Sequence, residues 1–256
     1  YKSVKGKHNK KTMRFCKVCV ANCQISIPTI SSLQTQLKLQ LTTAQIALMN
    51  NLISECDSIS KNIISGIQVE INENLNNLED DFAINFNKSL LGFLIMVPSN
   101  PDDPFQLIRG YMNIFNAETL QKTLLVSRVK LSVFCSMCKF ITTQLQTRLP
   151  YHVFNVDSND EIFTGDPQFI MEGNQILENV LTEILNEISE YDGKFTQFDY
   201  DEFEFLIVIC GNCIEIFKYN LEKTTFVVNV SNKMLELIQK YIECLSKNNT
   251  IGVKLQ

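Results

Sequence analysis

Glycine and proline are scarce, nine and six in a chain of 256 residues. An all-β protein with many tight turns uses more of both, so long regular elements with few sharp connections are expected, and the prior moves to helix. Histidine is scarcer still: with two in the chain, only His8 and His152 are available as general bases. His8 belongs to a basic opening run, YKSVKGKHNKKT, which reads as a solvated tail or helix start. His152 follows Pro150 and Tyr151 at the start of a loop, where an ordinary hydrogen-bonded or exposed imidazole is expected. No nucleophile elbow, phosphate-binding glycine loop or paired-histidine metal motif occurs, so no catalytic residue, cofactor or enzyme activity is assigned.

Long hydrophobic runs and an excess of basic charge are missing too. Leu90 to Val97 and Phe205 to Cys210 are the longest apolar runs, well short of the ~20 residues of a membrane-spanning helix. No signal peptide is evident; the chain opens on Tyr1 and is read as a fragment of a longer protein. Twenty-three Lys and Arg against 28 Asp and Glu give a net charge of -5, which argues against a domain that neutralises nucleic-acid phosphates.

What is present is core material, 45% apolar residues, arranged at helical period. Asn9 to Ile25 reads as a buried helix ended by Pro28, which also suits the first turn of the next helix. There Ile30, Leu33, Leu37 and Leu41 share a face. Thr42 or Thr43 then caps a helix striped by Ile46, Met49, Ile53, Cys56, Ile63 and Ile67. After the polar stretch INENLNNLEDD, Phe82 to Val97 is apolar nearly all round and should lie between neighbours. PSNPDDP forms a rigid turn in which Asp102 or Asp103 caps a helix from Pro104 to about Phe115. Helix follows from Ala117 to Leu149, stopped by Pro150, and Tyr151 to Pro167 is a loop. Asp166 as cap and Pro167 as first residue open the next helix, which Gly193 ends. Two last helices run from about Tyr200 to Asn220 and Ser231 to Ser246, with FVVNV, Phe226 to Val230, the best strand candidate and alternatively a short helix. Such a succession fits an irregular bundle or an array of helical hairpins.

Nine cysteines spread through apolar helical stretches read as core filling in a reducing compartment. They include three CxxC pairs, Cys16 and Cys19, Cys135 and Cys138, Cys210 and Cys213. Zinc ribbons keep such pairs ~15–20 residues apart, far closer than here, so packing is favoured over metal. The acidic loop DSNDEIFTGDPQ imitates a calcium loop starting at Asp157, with Asn159 and Glu161 in place. It fails at Ile162, where glycine is required, and at Gln168, where a bidentate glutamate belongs.

Several stretches together resemble the C-terminal part of the vacuolar protein sorting thirty-five-like family, helical scaffold subunits of the endosomal retriever assembly within Commander and relatives of the large retromer subunit. They are KHNKKT followed by CVANCQISIPTI, the LQLTTAQIALMNNLISECD helix, LLGFLIMVPSNPDDPFQLIRGYMNIF and, most specifically, YHVFNVDSNDEIFTGDPQFIMEGNQIL. They fall in the family's order and cover most of residues 7 to 190. The resemblance implies an all-α fold, a right-handed α-solenoid of HEAT-like antiparallel helical hairpins. It makes residues 1–256 a single C-terminal segment of a longer scaffold, without catalytic activity, cofactor or metal. It further implies a metallophosphoesterase-fold partner (vacuolar protein sorting twenty-nine), an arrestin-like subunit held by the missing N-terminal solenoid, Commander coiled-coil proteins, and a sorting-nexin cargo adaptor reached indirectly. The role implied is recycling of membrane proteins from endosomes to the plasma membrane, with a cytoplasmic protein held at endosomes through partners and no nucleic acid bound. The family-matched loops place Pro98, Pro101, Asp157, Ser158, Asn159, Asp160, Gly165 and Asp166 as binding candidates. The competing reading from the residues alone is a helical interaction or tethering adaptor of unrelated cytosolic function.

Overall fold

The computed structural model describes residues 9–74, 80–116, 124–146, 148–149, 151–193, 200–217 and 224–253. Among them no β-strand occurs, and one isolated bridge joins Asn100 and Asp103. The fold is all-α. Helices run α1 Lys10–Ser26, α2 Leu33–Met49, α3 Ile53–Asn74, α4 Asp80–Leu94, α5 Gln106–Phe115, α6 Leu124–Gln144, α7 Asn159–Ile162, α8 Pro167–Gly193, α9 Tyr200–Phe217 and α10 Thr224–Val253. The chain divides into two compact units, residues 1–120 with 143–173, and residues 121–142 with 174–256. His8, Pro150 and residues 117–123 lie outside the described residues, and with them the expectations placed there.

In the first unit a reciprocal cap opens α1. The Asn9 side chain accepts from the N–H groups of Lys11 and Thr12 at 2.9 and 3.1 Å, while Thr12 Oγ1 accepts the Asn9 N–H at 2.9 Å. The expected burial of α1 does not follow. Val20 alone is buried on it, whereas Phe15 is 70% exposed and Val18 and Ile25 are exposed as well. Pro28 sits not in the next helix but in a short 3₁₀ turn, Ile27–Thr29, and Ser32 caps α2 by accepting from the Thr35 N–H at 3.3 Å.

Thr42 and Thr43 cap nothing. Both lie inside α2, where their hydroxyls donate back to the carbonyls of Lys38 and Leu39 at 3.0 and 2.7 Å, the four-residue bond that competes with capping. The chain reverses instead at Asn50–Asn51–Leu52, with Asn51 in the left-handed region at φ 56. Ile46 and Met49 therefore belong to α2 and are exposed. The resulting α2–α3 hairpin buries Leu37, Leu41, Ala44 and Leu48 with Cys56, Ile59, Ile63 and Ile67.

The helix α4 keeps a solvent stripe, Asn85, Lys88, Ser89 and Gly92, opposite buried Phe86, Leu90, Leu91 and Leu94, so it is amphipathic rather than surrounded. Helix α5 starts at Gln106, whose N–H bonds the Asp103 carbonyl at 3.3 Å. Asp103 does not cap it with its side chain. Its carboxylate is taken by Arg109, whose guanidinium also reaches Glu172. Tyr111, fully buried on α5, donates its hydroxyl to Asn87 of α4.

The second unit packs α6, α8, α9 and α10 around Leu131, Phe134, Val180, Ile184, Leu206 and Leu237. Lys130 of α6 reaches Glu183 and Glu187 of α8 at 3.5 and 3.1 Å. Helix α10 begins at Thr224, and FVVNV forms its first turns rather than a strand. In both units the closest helix pairs are neighbours in sequence, α2 with α3 and α9 with α10. That pairing is what an array of helical hairpins requires.

Candidate functional site

The loop after α6 concentrates the polar residues singled out by sequence, and the structure turns several of them inward. A capping box opens α7: the Glu161 carboxylate accepts from the Ser158 N–H at 2.8 Å and from its hydroxyl at 3.0 Å. Those bonds hold the Glu161 carboxyl below its ordinary range.

Asn159 and Asp160 are then carried into the unit's interior. The Asn159 amide donates to Gln144 Oε1 at 2.9 Å and Ser99 Oγ at 3.1 Å, while its oxygen accepts the Ser99 N–H at 2.7 Å. Gln144 in turn donates to the Ile95 carbonyl at 3.0 Å. One side chain thus clasps the end of α6 and the turn after α4. Asp160 works in the other direction. Its carboxylate accepts the Leu149 N–H at 2.8 Å, the Ser158 hydroxyl, and His152 Nε2 at 3.1 Å. Burial pushes this carboxyl up, but the bonds from Ser158, Leu149 and His152, with the charge on His152, outweigh it and hold it down to about 2. His152 is therefore an orienting partner of Asp160, as an ordinary hydrogen-bonded imidazole would be.

Beyond α7 the chain turns through Gly165, at φ 73, into the Asp166 cap. Asp166 accepts the Gln168 N–H at 2.9 Å, and Pro167 is the first residue of α8. Phe163 stacks on Phe169 with ring centroids 4.5 Å apart, and Phe169 on Phe105 at 4.8 Å, which locks this corner to the start of α5. Of the family-matched residues, Ser158, Asn159 and Asp160 are buried and Pro98 half-buried, while Pro101, Asp157, Gly165 and Asp166 are exposed.

With both ends clasped, the loop holds two aromatic side chains out of the fold. Tyr151 is 77% and Phe154 87% exposed. A turn closed by the Val156 N–H on the Val153 carbonyl at 3.1 Å, with Asn155 left-handed at φ 60, fixes Phe154 at its tip. Beside it lies a groove of about 470 Å³ lined by Met13, Met49, Asn50, Asn51, Val153, Phe154 and Asn155. The Asn50 amide donates to the Ile46 carbonyl at 2.7 Å, and its buried oxygen has no hydrogen-bond partner. Exposed aromatics and methionines beside an unused acceptor are the makings of a protein-docking surface rather than of a reaction centre.

Sequence reasoning did not single out Met13 or Met49, because core and interface residues share the same helical period, nor Tyr151 and Phe154. A signal did exist for the two aromatics: they stand in a turn-forming stretch, outside any stripe that a neighbouring helix could bury. The cysteine pairs occupy different settings, with Cys16 and Cys19 on open α1 and Cys135, Cys138, Cys210 and Cys213 buried in the second unit. No group of three or more His, Cys, Asp or Glu side chains is arranged to hold a metal ion among the described residues. Nor is any described helix long and apolar enough to cross a membrane.

The family model described as the VPS35L C-terminal domain matches residues 1–210. The protein named VPS35 endosomal protein sorting factor-like of Dictyostelium discoideum is 31% identical over 191 residues, 73% of this chain and 19% of its own length. The human VPS35 endosomal protein-sorting factor-like is 30% identical over 193 residues, again 73% of this chain and 20% of the relative. The Drosophila melanogaster counterpart is 26% identical over 189 residues, 71% and 20%. The chain spans about a fifth of the length of these relatives, and the match takes in α1 to α8 with the whole clasped loop. By sequence the chain belongs to the VPS35L C-terminal domain family.

Proposed function

We propose that this chain is the C-terminal helical segment of a non-catalytic scaffold in a retromer-like, retriever-type endosomal sorting complex. Residues 1–256 form one stretch of α-solenoid that binds a metallophosphoesterase-fold partner subunit and thereby supports recycling of membrane proteins from endosomes to the plasma membrane. The arrestin-like subunit is held by the N-terminal solenoid of the longer protein, Commander coiled-coil proteins dock on the assembly, and a sorting-nexin adaptor connects it to cargo. Contact with the endosome is peripheral, on the cytoplasmic side and through these partners.

The observation that carries this reading is the projection of Tyr151 and Phe154 from a loop clasped at both ends, beside an apolar groove. Rigid aromatic side chains lose little conformational freedom on docking and bury large areas, which makes them the favoured anchors of stable interfaces. Ser158, Asn159 and Asp160 serve the surface by fixing it, while exposed Pro101, Asp157, Gly165 and Asp166 and half-buried Pro98 stand as its further binding candidates. A permanent subunit contact of this kind buries about 2,000 Å² or more with an apolar centre. The experiment is calorimetry of the purified chain with the purified phosphoesterase-fold subunit at low and physiological salt. Micromolar or tighter binding that changes little with salt is expected, because apolar burial is not screened. Absence of binding between two folded proteins rejects the scaffold role for this segment.

A further inference from the structure

The CxxC motifs of α6 and α9 take no part in the docking surface, yet the fold brings them together. A three-residue helical step puts Cys135 with Cys138, and Cys210 with Cys213, each pair on one helix face. Across the two helices Cys135 Sγ lies 3.5 Å from Cys213 Sγ. Cys138 and Cys210 are both near enough to Cys213 for a charge on one to disfavour a charge on the other. All four are buried, and Cys135, at 5% exposure, is the least so. The 3.5 Å contact is about 1.5 Å longer than a disulfide bond.

We propose that Cys135 and Cys213 are a peroxide-sensitive pair that closes a reversible disulfide between α6 and α9. Peroxide is the fitting oxidant because it is small enough to reach a site this enclosed. The Cys135 sulfur attacks it, the O–O bond breaks, and one oxygen stays on sulfur as sulfenic acid while the other leaves as water. The Cys213 sulfur then displaces that hydroxyl: an S–S bond forms, the S–O bond breaks, and the hydroxyl leaves as a second water with the Cys213 proton. Two thiols and one peroxide yield one disulfide and two waters. A dithiol reductant returns both thiols.

The contact with Cys135, and burial after it, keeps the Cys213 thiol protonated, while burial keeps Cys138 protonated and pushes Cys210 up to about 12, so the site resists casual oxidation and responds to sustained peroxide. The bond ties two helices separated by a long stretch of chain and restricts the unfolded state, which raises the thermal midpoint.

The test uses the 256-residue chain with the more accessible Cys16, Cys19 and Cys23 replaced by serine. It is treated with hydrogen peroxide, alkylated without reduction, digested and mapped by mass spectrometry. The expected product is one linked pair of peptides carrying Cys135 and Cys213, lighter by two hydrogens than the sum of the free peptides, with a raised thermal midpoint that a dithiol reverses. C135S and C213S should each abolish the linked species, and circular dichroism checks that each is folded. Because the map is read on a chain that retains both thiols, it stands even if a variant fails to fold. Several results overturn the proposal: Cys135 and Cys213 both alkylated after a treatment that oxidises the denatured chain, a bond within either CxxC, oxidation to sulfinic acid with no crosslink, or one zinc per chain blocking the reaction.

Discussion

Asp160 shows how one buried carboxylate organises a surface it never reaches. It takes the Leu149 N–H, the Ser158 hydroxyl and the His152 ring at once, and so fixes the strand of chain from which Tyr151 and Phe154 project. Replacing Asp160 by Ala leaves the buried Leu149 N–H without its acceptor, a loss of about 1–3 kcal/mol. The drop should appear as a lower urea midpoint with an unchanged slope. The sign of the pH effect follows from the carboxyl being held at about 2 in the fold against an ordinary 3.8. A group with a depressed folded pKa contributes stability that is full above the unfolded value and is lost as pH falls through the folded one. The gap in stability between the parent chain and Asp160→Asn should therefore be constant near neutrality and shrink between about pH 4 and pH 2. Thermal melts across that range measure it, and a gap that widens on acidification contradicts the assignment. In the sequence, Asp160 was one of four polar loop residues with equal claims to recognition. Only long-range partners, Leu149 and His152, separate it from exposed Asp157, and the chain order does not announce them.

Among the helices, the boundaries that were legible are those where two independent local signals coincide. The start of α8 is one: Gly165 supplies the left-handed turn, Asp166 the cap and Pro167 a first residue with no N–H to satisfy. Asp166→Ala should lower stability by about 1 kcal/mol through the lost bond to the Gln168 N–H. Differential melting of parent and variant tests this, and identical curves would mean that the stacked Phe163, Phe169 and Phe105 rings hold the corner alone. Boundaries resting on a single signal misled. Thr42 and Thr43 look like caps, but a threonine hydroxyl inside a helix has an equally good acceptor four residues back. The β-branched run at Phe226 to Val230 favours strand locally, yet it has no partner strand among the described residues and continues as α10. The apolar residues of α1 stay largely exposed, because apolar composition does not say what covers a helix.

At the scale of the whole molecule, helix content and family membership were readable in outline, whereas the division of labour around the loop was not. Side chains that hold the surface in place and side chains that present it alternate within a few residues: Tyr151 and Phe154 face out, Val156, Ser158, Asn159 and Asp160 face in. The alternation separates folding from binding experimentally. Tyr151 and Phe154 make almost no use of the core, so Tyr151→Ala with Phe154→Ala should change stability by less than about 0.5 kcal/mol. If they anchor the phosphoesterase-fold partner, the same double variant should lose about 2 kcal/mol or more of binding, roughly thirtyfold in Kd. Asp160→Ala reverses the order, lowering stability first and weakening binding only through a loosened loop. Measuring both quantities on both variants, by denaturation and by calorimetry, distinguishes an anchor from a support. A double variant that unfolds at the parent's midpoint and binds with the parent's affinity would remove the aromatic pair from the interface and direct the search to the exposed Phe15 and Val18 face of α1.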